Sequence, residues 1–294
     1  MLTSSQPNTP LAIGIIGLGL MGNALALRLF QSGFTICGFD PDAECSAAFL
    51  TLGGELTGDA NGVLGTCDVV LLSLPSHREV GAVLQEGAGY WRHGQIILDT
   101  TTGGPDSAVE HARELATHDV CYLDATISGS SLQARNGDVI WMVGGEQDAF
   151  DRCEALFQCV AKEVIHTGPV GSGSKMKLVT NLVLGLNRAA LAEGLALAGA
   201  LDLDVAQTLA VLLKSAAYSR IMDTKGEKMI SGDFAPVARL SQHLKDVRLM
   251  LDAAKPMSLP LSETHRELLE KAVALGYGDL DNSAIIKAIQ ESST

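Results

Sequence analysis

The sequence predicts an α/β protein in which a doubly wound parallel sheet is followed by an all-helical domain. From residue 12 to residue 166, short apolar runs alternate with segments of helical composition, and each run is brief enough to be a strand buried on both faces. After Gly173 the alternation ends and only helical patterns follow. A chain of 294 residues is long enough for two domains. We therefore expect a disordered lead at residues 1–10, an α/β domain at 11–170 and a helical domain at 171–294.

The individual elements of the first domain follow from short hydrophobic runs between polar or glycine-rich segments. The predicted strands are residues 12–16, 35–39, 69–74, 96–98 and 120–123. Helical composition is clearest at residues 23–31 and 107–116. Because strands and helices alternate, the sheet should be parallel and covered by helices on both faces.

A long helix at residues 175–201 should join the two domains. Apolar residues occupy most of its circumference, which predicts a buried helix, and a second subunit is one way to cover it. We expect a homodimer or homotetramer. Asn181, Arg188 and Glu193 interrupt the apolar run, which argues against a membrane span. Further helices are predicted at residues 205–217, 240–254 and 261–275.

The charge balance and the cysteines narrow the class of protein. Acidic residues outnumber basic ones by 34 to 21, which disfavours nucleic acid and anionic membranes as partners. The 6 cysteines form no C-x-x-C pair, so we expect neither a disulfide framework nor a metal site. A reducing, cytoplasmic location is the simplest interpretation.

A glycine motif follows the first predicted strand and opens the next helix. It consists of Gly17, Leu18, Gly19, Leu20, Met21 and Gly22. The first glycine can form a tight turn, the second lets backbone N–H groups approach a pyrophosphate, and the third permits close helix packing. This context predicts a Rossmann-type dinucleotide site, whereas the alternative is a glycine-rich turn that binds nothing.

Asp40, at the end of the second predicted strand, bears on the choice of cofactor. A carboxylate there can accept hydrogen bonds from the adenosine ribose and would repel a 2′-phosphate, and no arginine lies in residues 40–44. NAD is therefore favoured over NADP. Alternatively, Asp40 caps the following helix, and one side chain could serve both roles.

Six further segments match the motifs of a known family in the same order. They are Leu74-Pro75, DTTTGGP at 99–105, DATISGS at 124–130, GSGSKMKLVTN at 171–181, Lys245-Asp246 and GDLDNS at 278–283. Together with the glycine motif, they make the chain resemble the β-hydroxyacid dehydrogenases, a family that includes 3-hydroxyisobutyrate dehydrogenases and tartronate semialdehyde reductases. The likeness extends from residue 12 to residue 289. Thr101, Thr126, Ser130 and Thr180 depart from the usual family residues.

The resemblance implies a hydride transfer between a small β-hydroxy acid and a nicotinamide cofactor. Lys177 falls on the family lysine and would exchange the hydroxyl proton. Asn181 lies one helical turn further and would hold the substrate hydroxyl or orient the lysine. Alternatively, Lys177 and Asn181 form an ordinary polar stripe on an otherwise apolar helix.

Three loops and a second lysine complete the predicted site. Ser128, with the backbone N–H groups of Gly129 and Ser130, would bind the substrate carboxylate, unless the segment is a plain turn. By family analogy, the cofactor would also contact Leu74, Pro75, Thr102 and Lys245. Thr102 could instead cap a helix, and Lys245 could be a solvated surface residue.

Several alternatives remain open on the sequence. Imine reductases share this architecture but usually lack the lysine that stands here as Lys177. A phosphorylated sugar-acid dehydrogenase would need additional cations near the substrate. A third alternative is a catalytically silent, NAD-binding scaffold, for which loss of Lys177 would be the signature. The hydroxy acid itself is not identified, because discrimination of one carbon is worth only about 1–3 kcal/mol.

Overall fold

A computed structural model describes residues 11–291, so the predicted lead at 1–10 lies outside the described residues. The chain divides into two compact units between Lys177 and Leu178. The predicted boundary at residue 170 precedes this point. The division falls inside a helix that begins at Ser172, since the first turns of that helix belong to the sheet-containing unit.

The first unit contains a mainly parallel sheet of eight strands. They are β1 (Ile13–Ile16), β2 (Ile36–Phe39), β3 (Glu55–Leu56), β4 (Val69–Leu72), β5 (Ile96–Asp99), β6 (Cys121–Ser128), β7 (Ile140–Gly144) and β8 (Glu163–Gly168). The strand order is β3-β2-β1-β4-β5-β6-β7-β8. Every neighbouring pair is parallel except β6 and β7, which are antiparallel.

Helices lie between these strands. They are α1 (Leu20–Gln31), α2 (Ala43–Thr51), α3 (Ala60–Thr66), α4 (His77–Glu86), α5 (Pro105–Ala116), α6 (Ser131–Arg135), α7 (Gln147–Arg152) and α8 (Glu154–Val160). Successive strand residues pack on opposite faces: Ile15 belongs to one core cluster and Ile16 to the other. The predicted sheet with a core on both faces is therefore confirmed.

The sequence underestimated one strand and missed three. β6 continues beyond the predicted end at residue 123, through Asp124 and Thr126, although both side chains are polar. They are buried and hydrogen-bonded to residues 171–174, so burial costs them little here. β3 is a two-residue edge strand, and β7 and β8 lie beyond the last predicted strand.

The second unit is helical, as predicted. Its helices are α9 (Ser172–Ala200, whose first turns lie in the first unit), α10 (Val205–Leu212), α11 (Arg220–Ser231), α12 (Leu240–Ala254), α13 (Pro260–Ala274) and α14 (Ile285–Gln290). The sequence did not reveal α11 or α14. Within residues 178–291 the only β pairing is an isolated bridge between Arg239 and Asp281.

Helix α9 is only partly covered by the single chain, so the predicted burial of this helix is not complete without a further partner surface. Val179, Val183 and Leu197 are 57%, 52% and 57% exposed. In the part of the chain that the structure describes, α9 alone is long and apolar enough to span a membrane by length and composition. Its buried face nevertheless carries Arg188, which is 1% exposed.

A buried ion pair fixes the end of the second unit. Asp281 accepts hydrogen bonds from Lys225 Nζ at 2.8 and 2.9 Å and from the backbone N–H groups of Val237 and Ala238. Burial alone would raise the pKa of Asp281, but the contacts with Lys225 and Ser283 outweigh it and lower the pKa to about 2. The motif at residues 278–283 is therefore part of the framework of this unit.

Candidate active site

The glycine motif forms a turn at the carboxyl end of β1. Gly17 has a φ of 93°, and a Cβ there would collide with the carbonyl oxygen of Ser73. A Cβ on Gly22 would collide with the carbonyl oxygen of Gly17. Gly19 differs, because a Cβ on it would meet no heavy atom within 4 Å. The outer glycines are required by packing, whereas Gly19 borders open space in which backbone N–H groups can meet a pyrophosphate.

Asp40 is tied to this turn from the end of β2. Its Oδ2 accepts a hydrogen bond from the N–H of Leu18 at 2.6 Å, and its Oδ1 accepts one from the N–H of Asp42 at 2.8 Å. The cap of α2 is Asp42, so the alternative role of Asp40 as a helix cap is not seen. Asn23 also holds the turn, because its side-chain amide donates to the carbonyl oxygen of Leu18. Asn23 was not predicted, since one asparagine inside a helix carries no sequence signal.

The loops after β4 and β5 are joined at the same edge of the sheet. The N–H of Leu74 donates to Thr101 Oγ1 at 3.2 Å, and Thr100 Oγ1 donates to the carbonyl oxygen of Leu72 at 2.8 Å. These bonds hold the Leu74-Pro75 segment beside the loop that carries Thr102. Carboxyl ends of parallel strands share one edge, so both loops lie on the glycine-motif side of the sheet.

Asp99, at the end of β5, is a buried carboxyl that supports this edge. It accepts hydrogen bonds from Tyr122 Oη at 2.6 Å and from the N–H of Thr101 at 2.9 Å. Burial raises its pKa to about 6, although both hydrogen bonds favour the charged form. The sequence placed Asp99 in a motif without assigning it a role.

Strand β6 holds the beginning of α9 through a second buried carboxylate. Asp124 Oδ1 accepts from the N–H of Gly171 at 2.8 Å, and Oδ2 accepts from the N–H of Ser174 at 2.7 Å. These donors belong to the N-terminus of α9, which has no helical partner for its first N–H groups. Burial raises the pKa of Asp124, and the two hydrogen bonds oppose that shift. Asp124 thus caps the helix from another element.

Lys177 lies one turn into α9 and reaches back to the same strand. Its Nζ donates to the carbonyl oxygen of Ile127 at 2.5 Å, next to Ser128, and the residue is half-buried. Thr126, which replaces a family proline, donates from Oγ1 to the carbonyl oxygen of Gly173 at 3.0 Å. This departure from the family pattern adds a hydrogen bond between β6 and α9. Lys175 is exposed.

The loop after β6 differs from the predicted carboxylate site, in which Ser128 and the N–H groups of Gly129 and Ser130 were all expected to be donors. Gly129 has a φ of 145°, a conformation that favours glycine. The N–H of Ser130 donates to Gln133 Oε1 at 2.9 Å, and the Ser130 hydroxyl caps α6 in return. The Ser130 N–H is therefore engaged within the loop. Ser128 and the N–H of Gly129 remain as the candidate contacts for a carboxylate.

In the helical unit, Asn181 is oriented by an aspartate on α12. Asn181 Nδ2 donates to Asp246 Oδ2 at 3.1 Å, and Asp246 is 8% exposed. This bond commits one amide N–H to Asp246 and leaves the amide oxygen available as an acceptor. Lys245 precedes Asp246 and is half-buried. In the sequence, Asp246 is recognisable only as part of a family motif.

Gly185 lets α12 and α13 approach α9 closely. A Cβ at Gly185 would lie 2.5 Å from His243 Nε2 and 2.8 Å from His265 Cε1. Burial, with the charge of Arg188, lowers the pKa of His265 to about 4, so this histidine is neutral at pH 7.

Within residues 11–291 no cluster of three or more histidine, cysteine or acidic side chains could hold a metal ion.

These features define a dinucleotide-binding α/β protein with a candidate proton-transfer group. They are a glycine-rich turn after β1, a carboxylate after β2 and a lysine near the start of α9. Two family models match the chain. Residues 12–168 match the NAD binding domain of 6-phosphogluconate dehydrogenase. Residues 171–289 match the NAD-binding domain of NADP-dependent 3-hydroxyisobutyrate dehydrogenase.

Individual relatives agree with these matches over nearly the whole chain. The chain is 33% identical to 2-(hydroxymethyl)glutarate dehydrogenase of Eubacterium barkeri, with 95% of each chain covered. It is 31% identical to 2-hydroxy-3-oxopropionate reductase of Escherichia coli, covering 95% of this chain and 97% of the relative. The structure of 3-hydroxyisobutyrate dehydrogenase from Salmonella typhimurium superposes with a TM-score of 0.87 at 29% identity, covering 94% and 99%.

The chain therefore belongs to the β-hydroxyacid dehydrogenase family, as its motifs predicted. It is a nicotinamide-dependent oxidoreductase that acts on CH–OH groups. Imine reductases are more distant: the structure from Pseudomonas sp. has 20% identity and a TM-score of 0.65, which shows a shared fold only.

We predict that Asp99 makes stability depend on pH. Its pKa of about 6 in the folded protein exceeds the ordinary value of 3.8. The folded state therefore favours the protonated carboxyl, and this contribution is lost as the pH rises from about 4 toward 7. Relative to Asp99→Asn, the wild type should lose about 2 kcal/mol of unfolding free energy over that range.

Urea unfolding at half-unit pH intervals measures this difference. Asp279→Asn, at an exposed aspartate, serves as the control and should follow the wild type. Parallel curves for the wild type and Asp99→Asn would show that Asp99 titrates normally.

Proposed function

We propose that this chain catalyses the NAD-dependent interconversion of a small β-hydroxy acid and its semialdehyde or keto acid, with Lys177 as general acid and base. The observation that carries the proposal is the position of Lys177 Nζ. It lies 2.5 Å from the carbonyl oxygen of Ile127, immediately before the Ser128 loop, and on the lysine position of the family motif.

Lys177 has the chemistry that the reaction needs. In the oxidation direction the neutral amine accepts the hydroxyl proton, and in the reduction direction the ammonium returns a proton to the carbonyl oxygen. The Ile127 carbonyl accepts from Nζ in either state and keeps it at the end of β6. When bound, the nicotinamide ring accepts or donates the hydride at C4.

Asn181 and the Ser128 loop are proposed to orient the substrate. Asn181 is four residues beyond Lys177 on α9, and its amide orientation is fixed by Asp246. Its free amide oxygen suits a hydroxyl donor. The Ser128 hydroxyl and the Gly129 N–H suit a carboxylate, which is common to the substrates named for the relatives above. A small carboxylate substrate follows, without a commitment to one acid.

The cofactor is proposed to lie along the turn formed by residues 17–22, with its pyrophosphate at Gly19 and the N-terminus of α1. Leu74, Pro75, Thr102 and Lys245 would make further contacts, by the family resemblance. Asp40 favours NAD, because a carboxylate held at the turn accepts ribose hydroxyls and repels a 2′-phosphate. Glu44 and Asp42 follow it, and neither can bind a phosphate.

Assembly and location remain part of the proposal. The exposed apolar side chains of α9, including Val179, Val183 and Leu197, favour a homodimer or homotetramer that covers them. The 6 cysteines are all free thiols, which is consistent with a reducing cytoplasmic environment.

Replacement of Lys177 tests the proposed chemistry. Lys177→Ala should lower kcat/KM by about 10²–10⁴-fold on whichever hydroxy acid the wild type oxidises best, since the proton acceptor is removed. NADH binding should not change. Initial rates on a panel of small hydroxy acids and steady-state NADH titrations measure both quantities.

Lys175→Ala is the matched control, because Lys175 is an exposed lysine on the same helix. It should retain nearly the full rate. Equal losses in both variants would remove Lys177 from the mechanism. NADH binding by the wild type without turnover on any acid would favour a silent scaffold or a different carbonyl or imine substrate.

The charge of Asp40 should set the cofactor preference. Asp40→Asn keeps an oxygen for the N–H of Leu18 but removes the charge that repels a 2′-phosphate. The ratio of the NADPH and NADH dissociation constants should fall by about 10–100-fold, as expected for the loss of hydrogen bonds to a charged group. Fluorescence titration with each cofactor measures the ratio.

Asp42→Asn is the control, because asparagine also caps helices and α2 should be preserved. This variant removes a neighbouring negative charge without changing the turn. A ratio that shifts equally in both variants would assign the preference to general charge rather than to Asp40.

A further inference from the structure

Two cysteines lie in contact at the end of the sheet opposite the glycine motif. Cys37 is on β2 and Cys67 follows α3, and their sulfur atoms are 3.2 Å apart. Gly14 on β1 pairs with Cys37 in the sheet. A Cβ at Gly14 would lie 2.8 Å from Cys67 Sγ, so the glycine leaves room for the thiols to meet.

The contact changes the acidity of both thiols, in opposite directions. The hydrogen bond from Cys67 lowers the pKa of Cys37 to about 7, although burial opposes this shift. The same contact, together with burial, raises the pKa of Cys67. The contact therefore favours the thiolate of Cys37, which is the nucleophilic form of cysteine.

Cys37 is also the accessible member of the pair. Both cysteines line a cavity of about 650 Å³ whose other walls include Phe34, Glu55 and Thr57. Cys37 is partly exposed, whereas Cys67 is 2% exposed. A small molecule can thus reach the thiolate first, with the second thiol directly behind it. Among residues 11–291 no third ligand joins the pair as a metal site would require.

We propose that Cys37 and Cys67 form a redox-active dithiol that a small disulfide, such as oxidised glutathione, converts to an intramolecular disulfide. The Cys37 thiolate attacks one sulfur of the small disulfide, forms a mixed disulfide and releases one thiol. Cys67 then loses its proton and attacks the Cys37 sulfur, which releases the second thiol. Two protein thiols are oxidised, and the small disulfide is reduced by two electrons to two thiols.

Peptide mapping of the full-length protein tests this pairing. The protein is reduced, desalted, treated with oxidised glutathione at pH 7.5, alkylated and digested without a reductant. Residues 29–78 contain no internal lysine or arginine, so trypsin alone leaves Cys37, Cys45 and Cys67 in one peptide. Additional cleavage after Glu44 and Glu55 separates the three cysteines. The expected product is a disulfide between the fragments 29–44 and 56–78.

Single serine variants assign the order of the two steps. Cys67→Ser should accumulate a stable glutathione adduct at Cys37, whereas Cys37→Ser should leave Cys67 unmodified. Cys45→Ser is the matched control and should form the disulfide as the wild type does, because burial and nearby acidic groups raise the pKa of Cys45. Circular dichroism and NADH binding, to which neither thiol contributes, verify that each variant folds.

The proposal is overturned if Cys37 and Cys67 are both alkylated after oxidation of the folded wild type. It is also overturned if the adduct appears first on Cys45 or on Cys67. Neither result depends on the substrate or on the role of Lys177, so the redox pair and the proposed dehydrogenase activity can fail independently.

Discussion

Asp124 is buried on a central strand and accepts hydrogen bonds from the N–H groups of Gly171 and Ser174. A buried carboxylate is costly unless it is hydrogen-bonded, and the first N–H groups of a helix lack partners unless a cap is supplied. The Asp124 carboxylate and the two helix N–H groups therefore satisfy each other's hydrogen-bonding requirements. The result is that α9 begins at a fixed place on β6, and Lys177, one turn later, reaches the carbonyl oxygen of Ile127.

The same principle recurs within each of the two units. Asp40 holds the glycine turn, Asp99 holds the loop after β5, and Asp246 holds Asn181. Asp40 and Asp99 accept backbone N–H groups of functional loops, so backbone geometry positions these loops, whereas Asp246 accepts a side-chain N–H of Asn181. Positioning of the reacting groups is what efficient proton and hydride transfer require.

Local patterns in the sequence predicted much of this molecule. Buried strands such as β1 and β4 are short apolar runs, and α12 has the predicted limits of Leu240–Ala254. The continuation of β6 through Asp124 was not predictable, because its polar residues are satisfied by partners about 50 positions away. Ser130 was expected to bind substrate, whereas its N–H pairs with Gln133, three residues further along the chain. The glycine motif and Lys177 were found because spacing and family resemblance define them.

The most direct test of this account is the rate of hydride transfer in Asp124→Asn. Asparagine keeps one acceptor but presents an N–H group to the other helix donor, so α9 should shift and Lys177 should be misplaced. In single-turnover experiments with bound NAD and the best hydroxy acid, we expect the rate to fall by about tenfold or more while the dissociation constant of NADH stays constant. An unchanged rate in a folded variant would contradict the claim that β6 positions Lys177 through Asp124.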